Sequence, residues 1–269
     1  MSSGKHRAEL KQKPDNVEAE QKLLLRREKK YARVVLIGAL GLFLGVPRNV
    51  AVNNMPDSNW AGSGKSTDIA NPKPLFTGIK ASWIITSPNQ SYTRNPDDKT
   101  IGQWIGIGGS NPNDVENLIQ VGTDCHGNGV CKGFYELLPG PPMEFKTFSV
   151  SPGDIVSVEI NKVDLAKDLW HIKFEDKTSK LRGNTDLQYS STQYSAECIF
   201  ERPLEDDRSS YSRLGSFGAT KFFDISYGVD QKYQASPVRD VTYDIVQDGT
   251  VITRSTLKGS ELDIKDLRR

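Results

Sequence analysis

Apolar and polar side chains alternate with a period of two along most of the chain after residue 75. Ile155–Ile160 reads Ile-Val-Ser-Val-Glu-Ile, and Phe76–Ile85 alternates in the same way, with Ile79, Ala81 and Trp83 on one face. This period places successive side chains on opposite faces of a β-strand, whereas an amphipathic helix repeats its apolar residues every three or four positions. The pattern therefore predicts an all-β body.

Turn-forming residues separate the alternating runs at short intervals. Asp248-Gly249, between two of the runs, is a hairpin signal. Many short strands joined in this way are typical of sandwiches and jelly rolls. We therefore predict a two-sheet antiparallel β-sandwich, of the jelly-roll or concanavalin A-like kind, over residues 76–269. The predicted strands are Phe76–Ile85, Ile101–Ile107, Phe145–Val150, Ile155–Ile160, Leu169–Phe174, Tyr194–Glu201, Lys221–Ile225, Val241–Val246 and Thr250–Arg254.

The residues before this body differ from it in charge and hydropathy. Residues 1–33 carry 10 Lys and Arg against 5 Asp and Glu, which leaves 25 basic and 29 acidic residues for the rest of the chain. Val34–Val46 then runs for 13 residues without a charge. We predict a basic cytoplasmic arm at 1–33, a hydrophobic helix at 34–52, and a linker with the first sandwich segment at 53–75.

The hydrophobic segment 34–52 has more than one interpretation. A bilayer span usually needs about 20 residues, and the apolar core of a signal peptide about 7–15. The preceding basic region is long for a signal peptide, and Asn49 would hold the −3 position of a cut after Ala51. We therefore favour an uncleaved signal-anchor, with a cleaved signal peptide and a buried core helix as alternatives. The two leading interpretations leave the body membrane-anchored facing outside, or secreted.

Composition excludes some partners and leaves others open. The basic excess lies in the arm, whereas a nucleic-acid-binding surface is usually a basic patch on the folded domain, so no nucleic-acid partner is expected. Cys125 and Cys131 flank a turn-rich segment that a disulfide could close in an exported chain; free thiols are the alternative. Oligomeric state has no signal in the sequence.

Several kinds of catalytic chemistry lack their motifs. There is no Gly-x-Ser-x-Gly sequence, and neither Asp-Thr-Gly nor Asp-Ser-Gly occurs. The three histidines have no partners at metal-ligand spacing, so we expect neither a metal nor a cofactor. Any catalysis therefore depends on carboxylates, amides and aromatic side chains.

A series of short blocks, in order, is similar to the glutamic peptidase family (eqolisin type, peptidase G1). The blocks span most of the body, and their order is more specific than any single one of them. They are Ser58–Gly62, Phe76–Pro88, Trp104–Gly109, Leu118–Asp124, Tyr135-Glu136 with Pro139, Ser149–Asp154, Ala196–Glu201 and Ile245–Gly249.

The resemblance implies a sandwich of two antiparallel sheets and an acid endopeptidase that acts on proteins or peptides without a cofactor. It implies that Gln120 and Glu201 are the catalytic residues. It also implies that Trp60, Trp104 and Glu136 line the substrate groove or support the pair. Residues 58–62 would form part of the same groove.

A glutamine and a glutamate can together hydrolyse a peptide bond. The glutamate takes a proton from the attacking water and later returns it to the leaving amine, while the glutamine amide donates to the oxyanion and its carbonyl orients the water. Strand alternation puts Glu197 and Ile199 on the same face as Glu201, and Leu118 on the same face as Gln120.

The sequence also departs from the family pattern. Gly108 stands where the family has an aspartate, Lys132 falls where an acidic residue is usual, and Arg202 follows Glu201 where aspartate is common. Cys198 replaces an aromatic residue, and Leu137 replaces a tryptophan. With fewer acidic groups near the site, and with Arg202 turned to the opposite face, activity is expected to extend closer to neutral pH.

Two other functions fit the same sequence. A β-sandwich with a polar face and exposed tryptophans is also suited to binding glycans or peptides, since fold alone does not assign function. A catalytically inactive relative of the peptidases, kept for partner binding, is the other alternative. Loss of Gln120 and Glu201 discriminates between these functions, because only a peptidase depends on both.

Overall fold

A computed structural model of the chain describes residues 54–67, 75–88, 100–110, 117–146, 149–204, 210–230 and 239–268. Within these ranges all the regular secondary structure consists of β-strands. No helix in this part of the chain is long and apolar enough to cross a membrane. The predicted basic arm 1–33 and hydrophobic helix 34–52 lie outside the described residues.

The described strands form two sheets, as the alternating sequence predicts. In chain order they are β1 (Met55–Asp57), β2 (Trp60–Ser66), β3 (Phe76–Ile84), β4 (Thr100–Ile107), β5 (Ile119–His126), β6 (Cys131–Leu137), β7 (Met143–Glu144), β8 (Ile155–Asp164), β9 (Leu169–Asp176), β10 (Arg182–Gln188), β11 (Ser195–Glu201), β12 (Ala219–Val229), β13 (Arg239–Gln247), β14 (Thr250–Val251), β15 (Thr253–Lys258) and β16 (Glu261–Asp266).

Strand order determines which side chains become neighbours. The first sheet has the order β1-β13-β2-β11-β4-β5-β6-β7, with β14 paired to β13, and the second has the order β10-β9-β8-β3-β12-β16-β15. Neighbouring strands are antiparallel except β1 and β13, which run parallel. No hairpin turn joins these two strands, so chain connection does not impose the antiparallel direction on them.

The inward faces of the two sheets form the main core. Its largest fully buried side chains are tryptophans and phenylalanines, and the tryptophans keep their indole N–H groups paired. Trp83 Nε1 donates to Thr123 Oγ1 at 3.1 Å, and Trp170 Nε1 donates to the Tyr189 carbonyl at 2.8 Å. Truncation of such a buried ring to alanine typically costs about 3–5 kcal/mol, so these layers contribute strongly to stability.

Most of the predicted strands are present, and the differences have physical causes. Phe145–Val150 was predicted as a strand, but its described part pairs only at its two ends: the Phe145 N–H donates to the Gly133 carbonyl at 3.0 Å, and Val150 forms an isolated bridge to Cys131. The Phe145 ring packs against Phe174, with ring centroids 5.5 Å apart. The apolar character of Phe145 therefore reflects core packing more than strand pairing. The predicted strand Thr250–Arg254 is interrupted at Ile252, between β14 and β15.

Cys125 and Cys131 form a disulfide across the β5–β6 hairpin. The two cysteines are cross-strand partners, and both are buried. The hairpin carries Gln120 on one strand and Glu136 on the other, so the bond fixes the pairing of two predicted site residues. Cys198, the third cysteine, is a buried free thiol.

Removal of this disulfide is expected to destabilise the fold. A double Cys125→Ala/Cys131→Ala variant should lose about 2 kcal/mol of unfolding free energy, because the short loop no longer restricts the unfolded chain. Urea unfolding of the parent with and without reductant, beside the variant, measures the effect. The reductant should weaken the parent and leave the variant unchanged; equal unfolding midpoints for all the samples would contradict the prediction.

Candidate active site

The predicted site residues lie on the face of the first sheet that is turned away from the main core. On β11, Ala196, Cys198 and Phe200 belong to the main core, while Ile199 belongs to a separate small cluster with other residues of the opposite face. We call this the outer cluster. It contains Trp104, Leu118 and Ile199, with Trp60, Phe134, Leu138 and Tyr243 packed against it.

Strand register brings Glu201 beside the aromatic residues of this face. Glu201 pairs with Trp60 on β2 and with Gly102 on β4. A Cβ atom at Gly102 would lie 3.8 Å from Glu201 Oε2, so the glycine leaves the surface open beneath the carboxyl group. Trp104 lies on the same face of β4, two residues further along.

Three neutral N–H groups hold the Glu201 carboxyl group. Asn59 Nδ2 donates to Oε1 at 2.8 Å and Trp60 Nε1 donates to the same oxygen at 3.2 Å. Trp104 Nε1 donates to Oε2 at 2.6 Å. Both oxygens are therefore fixed in position by donors that carry no charge.

The surroundings of Glu201 raise its pKa to near neutral pH. The pKa of Glu201 is raised to about 7: burial is the largest cause and the nearby Glu136 carboxylate adds to it, while the bonds from Trp104, Asn59 and Trp60 oppose the rise. A carboxyl group with a pKa near 7 can both accept and return a proton at moderate pH. This is the property that a general base and acid needs.

Gln120 lies on the same sheet face, and only the nitrogen of its side-chain amide has a hydrogen-bond partner among the described residues. Its side chain is 6% exposed, and Nε2 donates to Glu136 Oε2 at 2.5 Å. Within the described part of the chain, the buried Oε1 atom has no hydrogen-bond partner. A buried carbonyl without a partner carries a desolvation cost, which a bound water or substrate group would relieve.

Gln120 and Glu201 share a face without bonding to each other. Gln120 pairs with Gly106, and Glu201 pairs with Gly102 four residues away on the same strand. Between these glycines lies Trp104, whose ring packs so closely over Gly106 that a Cβ atom there would be 2.9 Å from Cζ3. The shared neighbour of the pair is Glu136, which bonds to Gln120 and acts electrostatically on Glu201.

The structure therefore brings all five predicted residues, Trp60, Trp104, Gln120, Glu136 and Glu201, to one face. Sequence reasoning missed Asn59 as a ligand of Glu201, although it lies inside the block 58–62. Asparagine in a turn usually bonds its own backbone, so residue type alone does not reveal a contact with a residue 142 positions away. Only the β2–β11 register shows it.

A second buried carboxyl group lies on β11. Glu197 is fully buried, and Ser110 Oγ donates to its Oε2 at 3.1 Å. Burial raises the pKa of Glu197 well above its ordinary value. Glu197 is therefore harder to ionise than an exposed carboxyl group, and it is bonded to Ser110, apart from the donors of Glu201.

Two of the departures from the family pattern, at Arg202 and Gly108, have structural explanations. Arg202 is directed away from Glu201: its guanidinium group donates to the carbonyls of Ser212 and Tyr211, as strand alternation predicts. Gly108 has a φ of +89°, and a Cβ atom there would lie 2.1 Å from the Asn117 carbonyl oxygen, so this backbone admits no aspartate.

Acidic groups nevertheless remain near the site. Glu136 is one, and Asp124 on β5 is another, with its pKa raised to about 6 by burial. Lys132, across the hairpin from Asp124, pairs with Glu144 at 2.5 Å. Among the described residues, no group of three or more His, Cys, Asp or Glu side chains is arranged to hold a metal ion.

Comparison with known proteins places the chain in a family. The model of the peptidase A4 family matches residues 58–266. The chain therefore belongs to the peptidase A4 family, that of the eqolisin or glutamic peptidases, and is a peptidase by family and fold. No curated protein sequence matches it.

Solved structures of peptidases share the fold at low sequence identity. Scytalido-glutamic peptidase, solved with a transition state analog inhibitor, is 18% identical with a TM-score of 0.64, covering 78% of this chain and 99% of that one. SCP-B, a member of the eqolisin family solved with the tripeptide Ala-Ile-His, is 17% identical with a TM-score of 0.60 and the same coverage. Aspergilloglutamic peptidase from Aspergillus niger is 21% identical with a TM-score of 0.52, covering 63% of this chain and 99% of that one.

Proposed function

We propose that this chain is an exported endopeptidase of the glutamic type, with Gln120 and Glu201 as its catalytic pair. The observation that carries the proposal is the Glu201 carboxyl group. It is partly buried, held by three uncharged donors and given a pKa of about 7, on the same face as the Gln120 carbonyl, which has no partner among the described residues. A merely structural carboxylate would normally be exposed or paired with a cation.

In the proposed reaction Glu201, as carboxylate, removes a proton from a water that attacks the peptide carbonyl. The resulting neutral Glu201 then gives that proton to the leaving amine, so the residue ends in its starting form. The bonds from Asn59, Trp60 and Trp104 hold the carboxyl group through both steps without a change of partner. Fixed donors of this kind need no reorganisation during the reaction.

Glu136 gives the Gln120 amide a defined orientation. An amide NH₂ group carries two hydrogens, and Glu136 accepts one of them. The bond fixes Nε2 toward Glu136, so the carbonyl keeps its direction and the second hydrogen remains for the oxyanion. The unpaired Oε1 atom is then the acceptor that orients the attacking water.

The outer cluster supplies an apolar surface beside this pair. Trp60 packs edge-on against Trp104 at 5.2 Å and against Tyr243 at 6.1 Å between ring centroids. Phe134 and Leu138 are partly buried on the other side of the cluster. Partly exposed aromatic and aliphatic groups next to the carboxyl group are suited to the side chains of an unfolded protein or peptide.

The proposed export of the peptidase body is supported by the disulfide and by the hydrophobic segment before it. Disulfides form and persist mainly in oxidising compartments, and Cys125–Cys131 is bonded. Together with the hydrophobic segment 34–52, this favours a peptidase body outside the cytoplasm, anchored to the membrane or secreted. Protease protection of the full-length chain in intact cells tests the placement: a cytoplasmic body would contradict it.

Hydrolysis itself is tested by mass spectrometry. The full-length chain is incubated with an unfolded protein in ¹⁸O-labelled water. An endopeptidase should produce internal fragments whose new C-termini carry one ¹⁸O atom from the attacking water. Binding without fragmentation would instead support the glycan- or peptide-binding module or the inactive relative.

The pH dependence of this activity should follow the titration of Glu201. As a general base Glu201 must be ionised, so kcat/KM should rise with pH through an apparent pKa near 7. Glu136→Gln removes the negative charge that raises this pKa, and should move the rise to lower pH by about half a unit to one unit. Trp104→Phe removes a donor that lowers it, and should move the rise to higher pH.

Opposite shifts in these two variants are the diagnostic result. They are measured as full pH–rate profiles of kcat/KM. Identical profiles in both variants would show that Glu201 does not govern the rate, as would a parent whose activity is confined to strongly acid pH.

A further inference from the structure

A tight turn joins β1 to β2 directly beside Glu201. Asp57 Oδ1 accepts the backbone N–H of Asn59 at 2.9 Å and that of Trp60 at 2.9 Å. An aspartate that bonds the amides two and three residues ahead fixes the path of the chain between them. Asp57 therefore determines where Asn59 and Trp60 lie.

The same turn is also hydrogen-bonded to the end of the strand that carries Glu201. The backbone N–H of Arg202, the residue after Glu201, donates to the Asn59 carbonyl at 3.0 Å. Both donors to Glu201 Oε1 come from this turn, whereas the donor to Oε2 is Trp104 of β4. The turn therefore controls one oxygen of the carboxyl group and leaves the other to a different strand.

Asp57 itself is partly buried. Burial raises its pKa, and the backbone N–H groups of Asn59, Trp60 and Ser58 oppose the rise. The side chain also lies near Tyr243 of β13, whose pKa it helps to raise. No cation figures among these neighbours, so the carboxylate depends on the turn amides for its stabilisation.

We propose that Asp57 is a positioning residue for Glu201, whose carboxylate holds the 57–60 turn so that the Asn59 amide and the Trp60 indole converge on one oxygen of Glu201. Its consequence for catalysis rests on the proposed function, whereas the contacts themselves do not. Among the described contacts Asp57 makes no hydrogen bond to Glu201, and it acts through Asn59 and Trp60.

Indole N–H resonances make a test that needs no catalytic activity. The chain has four tryptophans, and two of them, Trp60 and Trp104, donate to Glu201. In ¹⁵N–¹H spectra of the full-length chain, both signals should shift with pH around the Glu201 midpoint. Trp83 and Trp170 donate to a hydroxyl and a carbonyl, and serve as internal controls.

Substitutions at Asp57 should change this titration in a graded way. Asp57→Ala should reduce the pH-dependent shift of the Trp60 signal and move the Trp104 midpoint to higher pH by about one unit, because Glu201 loses donors that lower its pKa. Asp57→Asn keeps an oxygen acceptor and should remain near the parent. Asp57→Ser, a weaker acceptor, should fall between them and serves if the alanine variant does not fold.

The chain offers a matched control for loss of a turn. Asp164 Oδ1 accepts the N–H of Ala166 at 3.0 Å and that of Lys167 at 3.1 Å, in the second sheet. Asp164→Ala removes the same type of turn and should leave both indole titrations unchanged.

The outcomes separate this inference from the proposed function. A Trp60 titration that persists unchanged in Asp57→Ala, or an asparagine variant as altered as the alanine variant, would overturn the positioning role. If the parent shows the two titrations but cleaves no peptide, the contact stands and the peptidase proposal fails. If peptide cleavage is present, Asp57→Ala should lower kcat more than it changes KM, and Asp57→Asn should restore it.

Discussion

Glu201→Gln is expected to lower kcat on an unfolded protein substrate by about 10³- to 10⁴-fold, because an amide cannot take a proton from the attacking water and return it to the leaving amine. A glutamine has the same shape, but its amide does not ionise in this pH range. One of its ends is also an NH₂ group, which would face an N–H donor in place of a carboxylate oxygen. Trp104 or the pair Asn59 and Trp60 would then lose an acceptor.

The kinetic loss must be separated from a loss of folding. An unpaired indole N–H costs about 1–3 kcal/mol, so a lower melting temperature is expected while the fold survives. Glu159→Gln, the same substitution on β8 of the second sheet, should leave kcat unchanged. Steady-state kinetics with thermal unfolding of each protein makes the measurement. A Glu201→Gln variant within tenfold of the parent would remove Glu201 from the mechanism.

Gln120→Ala is expected to lower kcat by about 10²- to 10³-fold, the usual effect of losing one oxyanion donor. The substitution removes the amide hydrogen meant for the oxyanion and the carbonyl that orients the water. It also leaves the Glu136 carboxylate without its Gln120 bond. KM should change less than kcat, because the lost interactions strengthen only as the transition state forms.

A second substitution at the same position isolates the donor. Gln120→Glu keeps the size of the side chain but offers no amide hydrogen, and it places a carboxyl group against Glu136. It should be as inactive as the alanine variant at neutral pH. Gln188→Ala, at an exposed glutamine of β10 in the second sheet, is the matched control and should retain full activity. Activity that survives both Gln120 variants would contradict the assigned role.

The fold followed from the sequence wherever the side chains alternate. Strands such as β3, β8 and β11 have one apolar face, and this face determines both their existence and their position in the sandwich. β2 lacks such a signal, since Trp60–Ser66 is rich in glycine and serine. It is nevertheless an inner strand between β13 and β11, and its Gly62 permits close approach to β11, since a Cβ atom there would lie 2.2 Å from the Cys198 carbonyl oxygen.

The site followed from the sequence only in part. The ordered sequence blocks indicated Gln120 and Glu201, because these two residues match the positions of the catalytic glutamine and glutamate in the blocks of the glutamic peptidase family. The raised pKa of Glu201 could not be predicted, since it results from burial and from the carboxylate of Glu136, which lies on a strand distant in the sequence. Sequence alternation predicted that Arg202 is directed away from Glu201, whereas the absence of room at Gly108 depends on a contact with Asn117 that no local pattern encodes.

The most direct test of the central claim is proteolysis of an unfolded protein by the full-length chain, from strongly acid to neutral pH, beside Glu201→Gln and Gln120→Ala. The account predicts cleavage by the parent that pepstatin does not inhibit and that each substitution lowers by at least about 100-fold. No cleavage at any pH by a folded sample, or cleavage that survives both substitutions, would contradict it and favour a binding role for this face of the sandwich.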